Sequence, residues 1–263
     1  MDEYDEEVIT LSDHSFTALA EFTAERHMRE TEFAIVRAEA EIGAQSPLSI
    51  ESFAEDWNES QFWYSEKTAN VLATQLIEGS TNQTRIGLIS APSVYLAIKK
   101  MLHSCQESER PQLVLLEHDR RFNICTDFVY YNYQNPEKLP SKHPVMMKHY
   151  SSQVPNSYRE NMTKFAFRAA SLRGSMDRVF CDPPFLTATT VHWLLKPFTA
   201  GCPYLRVVVC TGQQMSHFVT EFYKPLGVVA TTFEPKHVGG LGNDFLCYAN
   251  FESSSWNCCQ RGS

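Results

Sequence analysis

Val179-Phe180-Cys181-Asp182-Pro183-Pro184-Phe185 joins a short apolar run, of the kind that fills a buried strand, to a rigid polar corner. An apolar strand ending in Asp-Pro-Pro-aromatic carries the groups that methylation of an amine requires. The carboxylate of Asp182 and a backbone carbonyl accept hydrogen bonds from an NH2 or NH3 group, and Pro183 and Pro184 hold these acceptors rigid. Phe185 supplies a wall against which a planar base or an alkylammonium can lie. Prolines also end strands for purely conformational reasons, so the motif needs support from the rest of the chain.

That support comes from the order of apolar runs. Arg85–Ser90, Gln112–Glu117, Phe128–Tyr133, Arg178–Asp182 and Leu205–Thr211 read as strands separated by helix-like stretches. Two more runs, Val228–Glu234 and Asp244–Phe251, follow with little room for a helix between them. Alternating strand and helix with a terminal hairpin predicts an α/β protein with a seven-stranded, mostly parallel sheet closed by antiparallel strands. This is the class I, Rossmann-like architecture of S-adenosylmethionine (SAM) dependent methyltransferases, in which the Asp-Pro-Pro corner ends the fourth strand beside the cofactor's methyl. Between the strands, Ala69, Leu72, Ala73, Leu76 and Ile77 recur at helical spacing after Ser65, a good N-cap, and the run stops at Gly79. That stripe reads as core packing.

At 263 residues and 43% hydrophobic the chain can bury a substantial core, and one catalytic domain of roughly 200 residues fits that length. No long apolar stretch and no signal peptide is evident, so a cytoplasmic protein without a membrane segment is expected. The eight cysteines show neither CxxC nor zinc spacing. Cys105, Cys125, Cys181, Cys210 and Cys247 fall within or beside predicted elements, as reduced and mostly buried thiols would. No metal is expected.

Charge is unevenly distributed. Residues 1–60 hold 16 acidic and 3 basic side chains, whereas residues 61–263 hold 15 and 20. The positive excess of the second part sits in residues 141–176, where Lys142, Lys148, Arg159, Lys164, Arg168 and Arg173 face one acid, Glu160. A nucleic-acid enzyme spreads positive charge around its cleft to neutralise phosphates; here the remainder is neutral and the amino-terminal arm repels a duplex. The arm, residues 1–45, opens with the acidic run Asp2–Glu7, whose charge density favours disorder. From Leu11 it reads as a helix capped by Ser12, with Phe16, Leu19 and Phe22 on a side suited to packing on the catalytic domain, residues 46–263, or on a partner.

Several separate blocks then carry a resemblance. Glu55-Asp56-Trp57 with Ser60-Gln61-Phe62-Trp63-Tyr64, Ile89-Ser90-Ala91-Pro92-Ser93-Val94-Tyr95, and Glu117 with Asp119 and Arg121-Phe122 come first. Tyr131–Pro136, the Asp182–Phe185 tetrad, Cys210-Thr211-Gly212, Glu234-Pro235 with His237, and Leu241–Phe251 follow in order. Together they resemble the translation elongation factor 1-alpha lysine methyltransferase family, whose members also carried the older name adenine-specific DNA methyltransferase-like. The arm, with Leu11-Ser12 and Ala18–Phe22, is similar to the family's start. The likeness spans the chain except residues 141–176 and the last dozen.

The resemblance implies SAM as cofactor and elongation factor 1-alpha as protein partner, with nucleic acid disfavoured and the enzyme a monomer. It places Asp182, Pro183, Pro184 and Phe185 in the catalytic corner. Glu117, at the end of the second strand, is where an acid accepts the ribose hydroxyls in this fold. Ser90, Ala91, Pro92 and Ser93 occupy the slot of a glycine-rich turn without any glycine, a departure that family members share. Asn132 stands where the family has Asp, and its amide oxygen still accepts from the adenine amino group. Phe62 and Trp63 are expected against the cofactor, and Tyr64 with Phe185 against the substrate, although three adjacent aromatics also suit plain hydrophobic packing.

Two other readings stay open. Methylation of adenine N6 in DNA or RNA fits the tetrad equally well, but needs base extrusion and a phosphate track; Arg168 and Arg173 beside Tyr158, Phe165 and Phe167 keep it in play. A noncatalytic SAM-binding protein is the other, favoured by Asn132 and by the insertion. Residues 141–176 precede the fourth strand, away from the cofactor edge, and read as a tolerated surface loop, a partner-binding helix or a gene-model artefact. Deleting them is expected to leave SAM binding intact, with loss of folding as the contrary outcome.

Overall fold

The computed structural model describes residues 12–41, 48–55, 61–132, 172, 174–182, 205–240 and 244–259. The chain divides into two compact units, Met1–Ala54 and Glu55–Ser263. In the first, α1 (Asp13–Glu41) runs for 29 residues. Ser12 caps it, accepting at Oγ from the Ser15 N–H at 3.2 Å. Phe16, Leu19 and Phe22 are exposed, while Phe33 meets Phe53 at 5.4 Å between ring centroids. The acidic run Asp2–Glu7 lies outside the described residues.

The second unit is built on one sheet. Its strands are β1 (Arg85–Ile89), β2 (Gln112–Glu117), β3 (Phe128–Tyr130), β4 (Arg178–Cys181), β5 (Arg206–Gly212), β6 (Val229–Ala230) and β7 (Phe245–Ala249). Their order is β3-β2-β1-β4-β5-β7-β6. The first five pair in parallel, and β7 pairs antiparallel with both β5 and β6. The expected seven-stranded sheet is thus present. Two strands are shorter than the sequence suggests: β3 ends at Tyr130, before Tyr131 and Asn132, and β6 keeps only two residues of the Val228–Glu234 run.

Strand-by-strand burial explains why these runs are apolar throughout rather than alternating. On one face Ile89, Val114, Leu116, Val179, Cys181, Val207, Val209 and Tyr248 form a single buried cluster with Val219, Tyr223 and Leu226. The last three come from α4 (Ser216–Phe222) and the turns that follow it. On the other face α2 (Glu66–Ile77) touches β4, and α3 (Pro92–Leu102) touches β1 and β2. A parallel sheet covered on both sides has no face left for polar residues.

Both ends of α2 are tied by the chemistry that the sequence announces and by one feature it does not. Ser65 Oγ accepts from the Thr68 N–H at 3.3 Å, and Gly79 follows with φ +64°. At the carboxyl end, where helix carbonyls lack intrahelical donors, Arg178 Nη1 donates to the carbonyls of Leu76 and Glu78 at 2.6 and 2.8 Å. Arg206 Nη1 donates to that of Gln75 at 2.6 Å. Neighbouring residues at the starts of β4 and β5 therefore hold the helix, and positive charge there also complements its dipole. On α3, Tyr95 Oη and Lys99 Nζ both donate to Asp127 Oδ2 at 3.1 Å, fixing that helix beside β3.

The sheet edge at β6 is covered by the end of the chain. The Cys259 N–H donates to the Ala230 carbonyl at 2.8 Å, and the Thr232 N–H to that of Asn257 at 3.0 Å. Trp256 is buried against Phe233 and Phe251, its Nε1 donating to the Phe251 carbonyl at 2.9 Å. Residues 257–259, beyond the last run read as a strand, thus satisfy an otherwise open edge. Of the cysteines, Cys125, Cys181, Cys210 and Cys247 are buried, whereas Cys105 is exposed.

Residues 141–171 and Arg173 lie outside the described residues, but the end of that segment is not the expected surface. Leu172 and Met176 are fully buried in the cluster around Val179 and Tyr131. Met176 lies against Gly87, where a Cβ would stand 3.4 Å from Met176 Cγ. Deleting residues 141–176 therefore removes two core side chains as well as a loop. Urea denaturation of that deletion is expected to show a loss of about 2–5 kcal/mol for each side chain, compared with a deletion that stops before Leu172.

Candidate active site

The strand order reverses between β1 and β4, since β2 and β3 lie on one side and β5 on the other. In an open parallel sheet the crevice outside the carboxyl ends of the strands at such a point is where ligands bind. The hydrogen-bond ladder aligns four positions along that edge. The Asp182 N–H donates to the Ile89 carbonyl at 3.0 Å, the Ser90 N–H to that of Leu116 at 2.9 Å, and the Tyr131 N–H to that of Glu117 at 3.0 Å. Asp182, Ser90, Glu117 and Asn132, all named from sequence, are thereby brought to one edge.

Ser90 makes the turn that a glycine makes elsewhere. Its φ is 53°, and it is the one non-glycine residue with positive φ among the described residues. A side chain in this region costs about 1 kcal/mol, so the strain is carried where β1 bends into α3. Ala91 follows without a side-chain cap and Pro92 opens the helix, where its missing N–H is no loss. Ala91, Pro92 and Ser93 are buried.

Glu117 is buried with one oxygen engaged. Its Oε1 accepts from the N–H groups of His118 and Asp119 at 2.7 and 3.1 Å. Burial outweighs these two donors and pushes the carboxyl up to about 7. Next to it, Asp119 Oδ2 accepts from Gln61 Nε2 at 3.0 Å and Arg121 Nε at 2.8 Å, while Arg121 Nη2 donates to Gln61 Oε1 at 2.8 Å. This closed triangle anchors the Gln61–Tyr64 segment to the end of β2. Asn132 is half-buried beyond it.

The three aromatics behave differently from one another. Phe62 is half-buried. Trp63 is buried edge-on against Phe122 at 6.0 Å, its N–H donating to Glu55 Oε1 at 2.8 Å. Tyr64 is 2% exposed, stacked on His237 at 4.7 Å and edge-on to Phe180 at 6.3 Å. One face of its ring is therefore already covered, and what it offers the site is its hydroxyl. That hydroxyl lies close to the Asp182 carboxyl and the Cys210 thiol, each of which acts on its ionisation, but closes no hydrogen bond of ordinary geometry to either.

Asp182 is half-buried: solvent reaches part of the residue although protein surrounds its carboxyl. Burial first, and Glu117's charge second, raise this carboxyl to about 7, against the Tyr64 hydroxyl, which acts to lower it. Pro183, Pro184 and Phe185 lie outside the described residues. His237 is the functional candidate that the sequence left without a role; its only signal was a place in one of the recurring blocks.

These groups fit a nucleoside-containing cofactor. A buried carboxylate at the end of β2 suits a pair of ribose hydroxyls, and the Ser90 turn brings backbone close to the same crevice. Among the described residues no group of three or more His, Cys, Asp or Glu is placed to hold a metal ion.

Residues 55–253 match the family described as "Probable N6-adenine methyltransferase". Curated relatives have a different substrate in their names. The chain is 33% identical to "Protein-lysine N-methyltransferase EFM5" of Saccharomyces cerevisiae, over 94% of each chain. It is 33% identical to "EEF1A lysine methyltransferase 1" of Gallus gallus over 96% of this chain and 99% of that one. With the Homo sapiens protein of the same name it shares 32% over 95% of each.

A buried acid whose folded pKa lies above its ordinary value of 4.5, here near 7, contributes stability that is lost as pH rises through that interval. Glu117→Gln should thus gain stability relative to the parent between pH 5 and pH 8 in urea denaturation. The same variant should bind S-adenosylhomocysteine about tenfold more weakly in calorimetry. Unchanged affinity would leave Glu117 without a cofactor role.

Proposed function

The chain belongs to the EEF1A lysine methyltransferase family, and on that premise we propose that it transfers methyl groups from SAM to a lysine of translation elongation factor 1-alpha. The observation that carries the reading is the Asp182 carboxyl at the switch point of the sheet, with Glu117 at the neighbouring strand end. SAM, when bound, supplies a methyl on a positively charged sulfur. Glu117, the Ser90–Ser93 turn, Asn132 and Phe62 are the residues of this chain that would hold it, with Trp63 backing them from the core.

What remains for the protein is to present a lysine nitrogen with its lone pair free. An exposed lysine has a pKa of about 10.4 and is about 99.9% protonated at neutral pH, which adds about 4–5 kcal/mol to the barrier if left uncorrected. Asp182 accepts hydrogen bonds from the amine and orients it. Burial also makes this carboxyl a better proton acceptor than an exposed aspartate, since its pKa of about 7 lies closer to that of the ammonium. Asp182 at about 7 and an ordinary lysine at about 10.4 still lie about 3 pH units apart, so alignment of the nitrogen contributes more than proton transfer to Asp182 does. Pro183 and Pro184 hold the acceptors, and Phe185 provides the aromatic wall for the methylated ammonium.

The family's description names adenine instead. An enzyme acting on a base within nucleic acid needs a phosphate track, and outside residues 141–176 the second part of the chain carries balanced charge. Protein is therefore the favoured substrate. The reading includes a catalytic domain from about residue 46, an acidic arm ahead of it, a monomer, and a cytoplasmic location suited to an elongation factor. No helix among the described residues is long and apolar enough to cross a membrane.

Labelled SAM offered with elongation factor 1-alpha, and in parallel with single- and double-stranded DNA and RNA, tests the reading. Label is expected on the protein, with Asp182→Ala lowering kcat at least about 100-fold at nearly unchanged SAM affinity. Label on nucleic acid would reverse the assignment of substrate; SAM binding without transfer would identify a noncatalytic protein. Equal loss of transfer and SAM affinity in the variant would make Asp182 a structural or cofactor-binding residue.

A further inference from the structure

Tyr64 is held more tightly than a packing residue requires. Its backbone forms an antiparallel bridge with His237, flanked by bonds from the Ser65 N–H to the Lys236 carbonyl at 2.8 Å and from the Val238 N–H to the Trp63 carbonyl at 2.9 Å. Its ring lies on the imidazole of His237 at 4.7 Å with 30° between planes. The imidazole in turn meets the edge of Phe245 at 4.5 Å, so it is clamped from both sides. Phe180 closes the remaining side of Tyr64 at 6.3 Å. The ring thus has no room to swing out, and its polar end points inward.

At that end is a buried hydroxyl with no hydrogen bond among the described residues. Buried polar groups are nearly always paired, and an exception in a tightly packed place calls for a reason. Among the described residues, the groups that act on it are the Asp182 carboxyl and the Cys210 thiol. A thiol is a weak acceptor and a carboxylate a strong one, so an ionised Asp182 takes the bond.

We propose that Tyr64 is the positioning residue for Asp182: its hydroxyl, aimed by the His237 stack, is the donor that fixes the carboxylate while its other lone pairs engage the substrate amine. This rests on the methyltransferase reading and deepens it. Asp182 is faced by Tyr64 from the segment before α2, by Glu117 from β2 and by Cys210 from β5. Cys210 is also backed by Cys247 on β7. Glu117 opposes ionisation of Asp182, and Tyr64 is the group that favours it. Burial holds His237 down at about 4, so near neutrality the stack is between two uncharged rings. The neighbouring charges, Lys236 and Glu234, pair with each other at 3.2 Å in solvent.

The test reads the carboxyl directly. Protein labelled with carbon-13 at the aspartate side-chain carboxyl is titrated by NMR, with Asp182→Asn identifying the Asp182 signal. Tyr64→Phe keeps the ring and removes the donor; the midpoint of Asp182 should then rise by about one pH unit, the effect of one lost bond to a charged acceptor. His237→Phe preserves a stacking ring and should retain the parent midpoint, whereas His237→Ala should move it towards that of Tyr64→Phe. The acid limb of kcat/KM should follow the same order. An Asp182 midpoint unchanged in Tyr64→Phe overturns the proposal and leaves Tyr64 as packing. Absence of methyl transfer by the parent would count against the function alone, because the carbon-13 titration does not depend on turnover.

Discussion

The ladder between β1 and β4 is the constraint on which the rest of this protein depends. It runs one residue past the strands, through the Asp182 N–H on the Ile89 carbonyl, and so places the first residue of the polar corner beside the turn at Ser90. Because β1 is paired with β2 on its other side, the same register carries Glu117 to the adjoining strand end. A slip in either pairing would displace one carboxyl along the edge relative to the other. The core enforces the register from below: Met176 packs against Gly87 two residues before β4 begins, and Arg178 is locked to the end of α2 by two carbonyls.

This edge holds two carboxyls whose burial raises both to about 7. Such groups weaken the fold as they ionise, and proteins retain them where a ligand benefits from a poorly solvated acceptor. Here each carboxyl has a neighbour that partly offsets its cost. Glu117 receives the N–H groups of the turn that follows it, and Asp182 has the Tyr64 hydroxyl close by. The strained Ser90 turn lies between them. Strain and desolvation are thus concentrated within a few residues of the switch point, while the helices and strands beneath follow ordinary packing.

The aromatic segment shows how a site and a core share one stretch of chain. Gln61 is tied to Asp119 and Arg121, Trp63 to Phe122 and Glu55, and Tyr64 to His237. Most of these contacts join parts of the sequence that are far apart, and together they bury the Tyr64 hydroxyl close to the Asp182 carboxyl. Tyr64, expected against the substrate, is buried in the fold with its ring on His237.

The sequence by itself determined most of the elements and the strand ends at which Asp182 and Glu117 stand. Apolar runs named all of β2 and the start of β1, β3 and β4, and Ser65 and Gly79 bounded α2, because propensity, periodicity and capping act over a few residues. The positions of Asp182 and Glu117 were legible for the same reason: each stands at the carboxyl end of an apolar run. Tertiary structure alone decided the features that depend on distant partners. It made Leu172 and Met176 core rather than loop, and it set Trp256 and Cys259 against the edge of β6. It also gave Ser90 the left-handed turn, and put His237 on Tyr64. Burial and long-range hydrogen bonding are properties of the assembled sheet, and no local pattern in the chain encodes which residue will be left with an unpaired hydroxyl inside it.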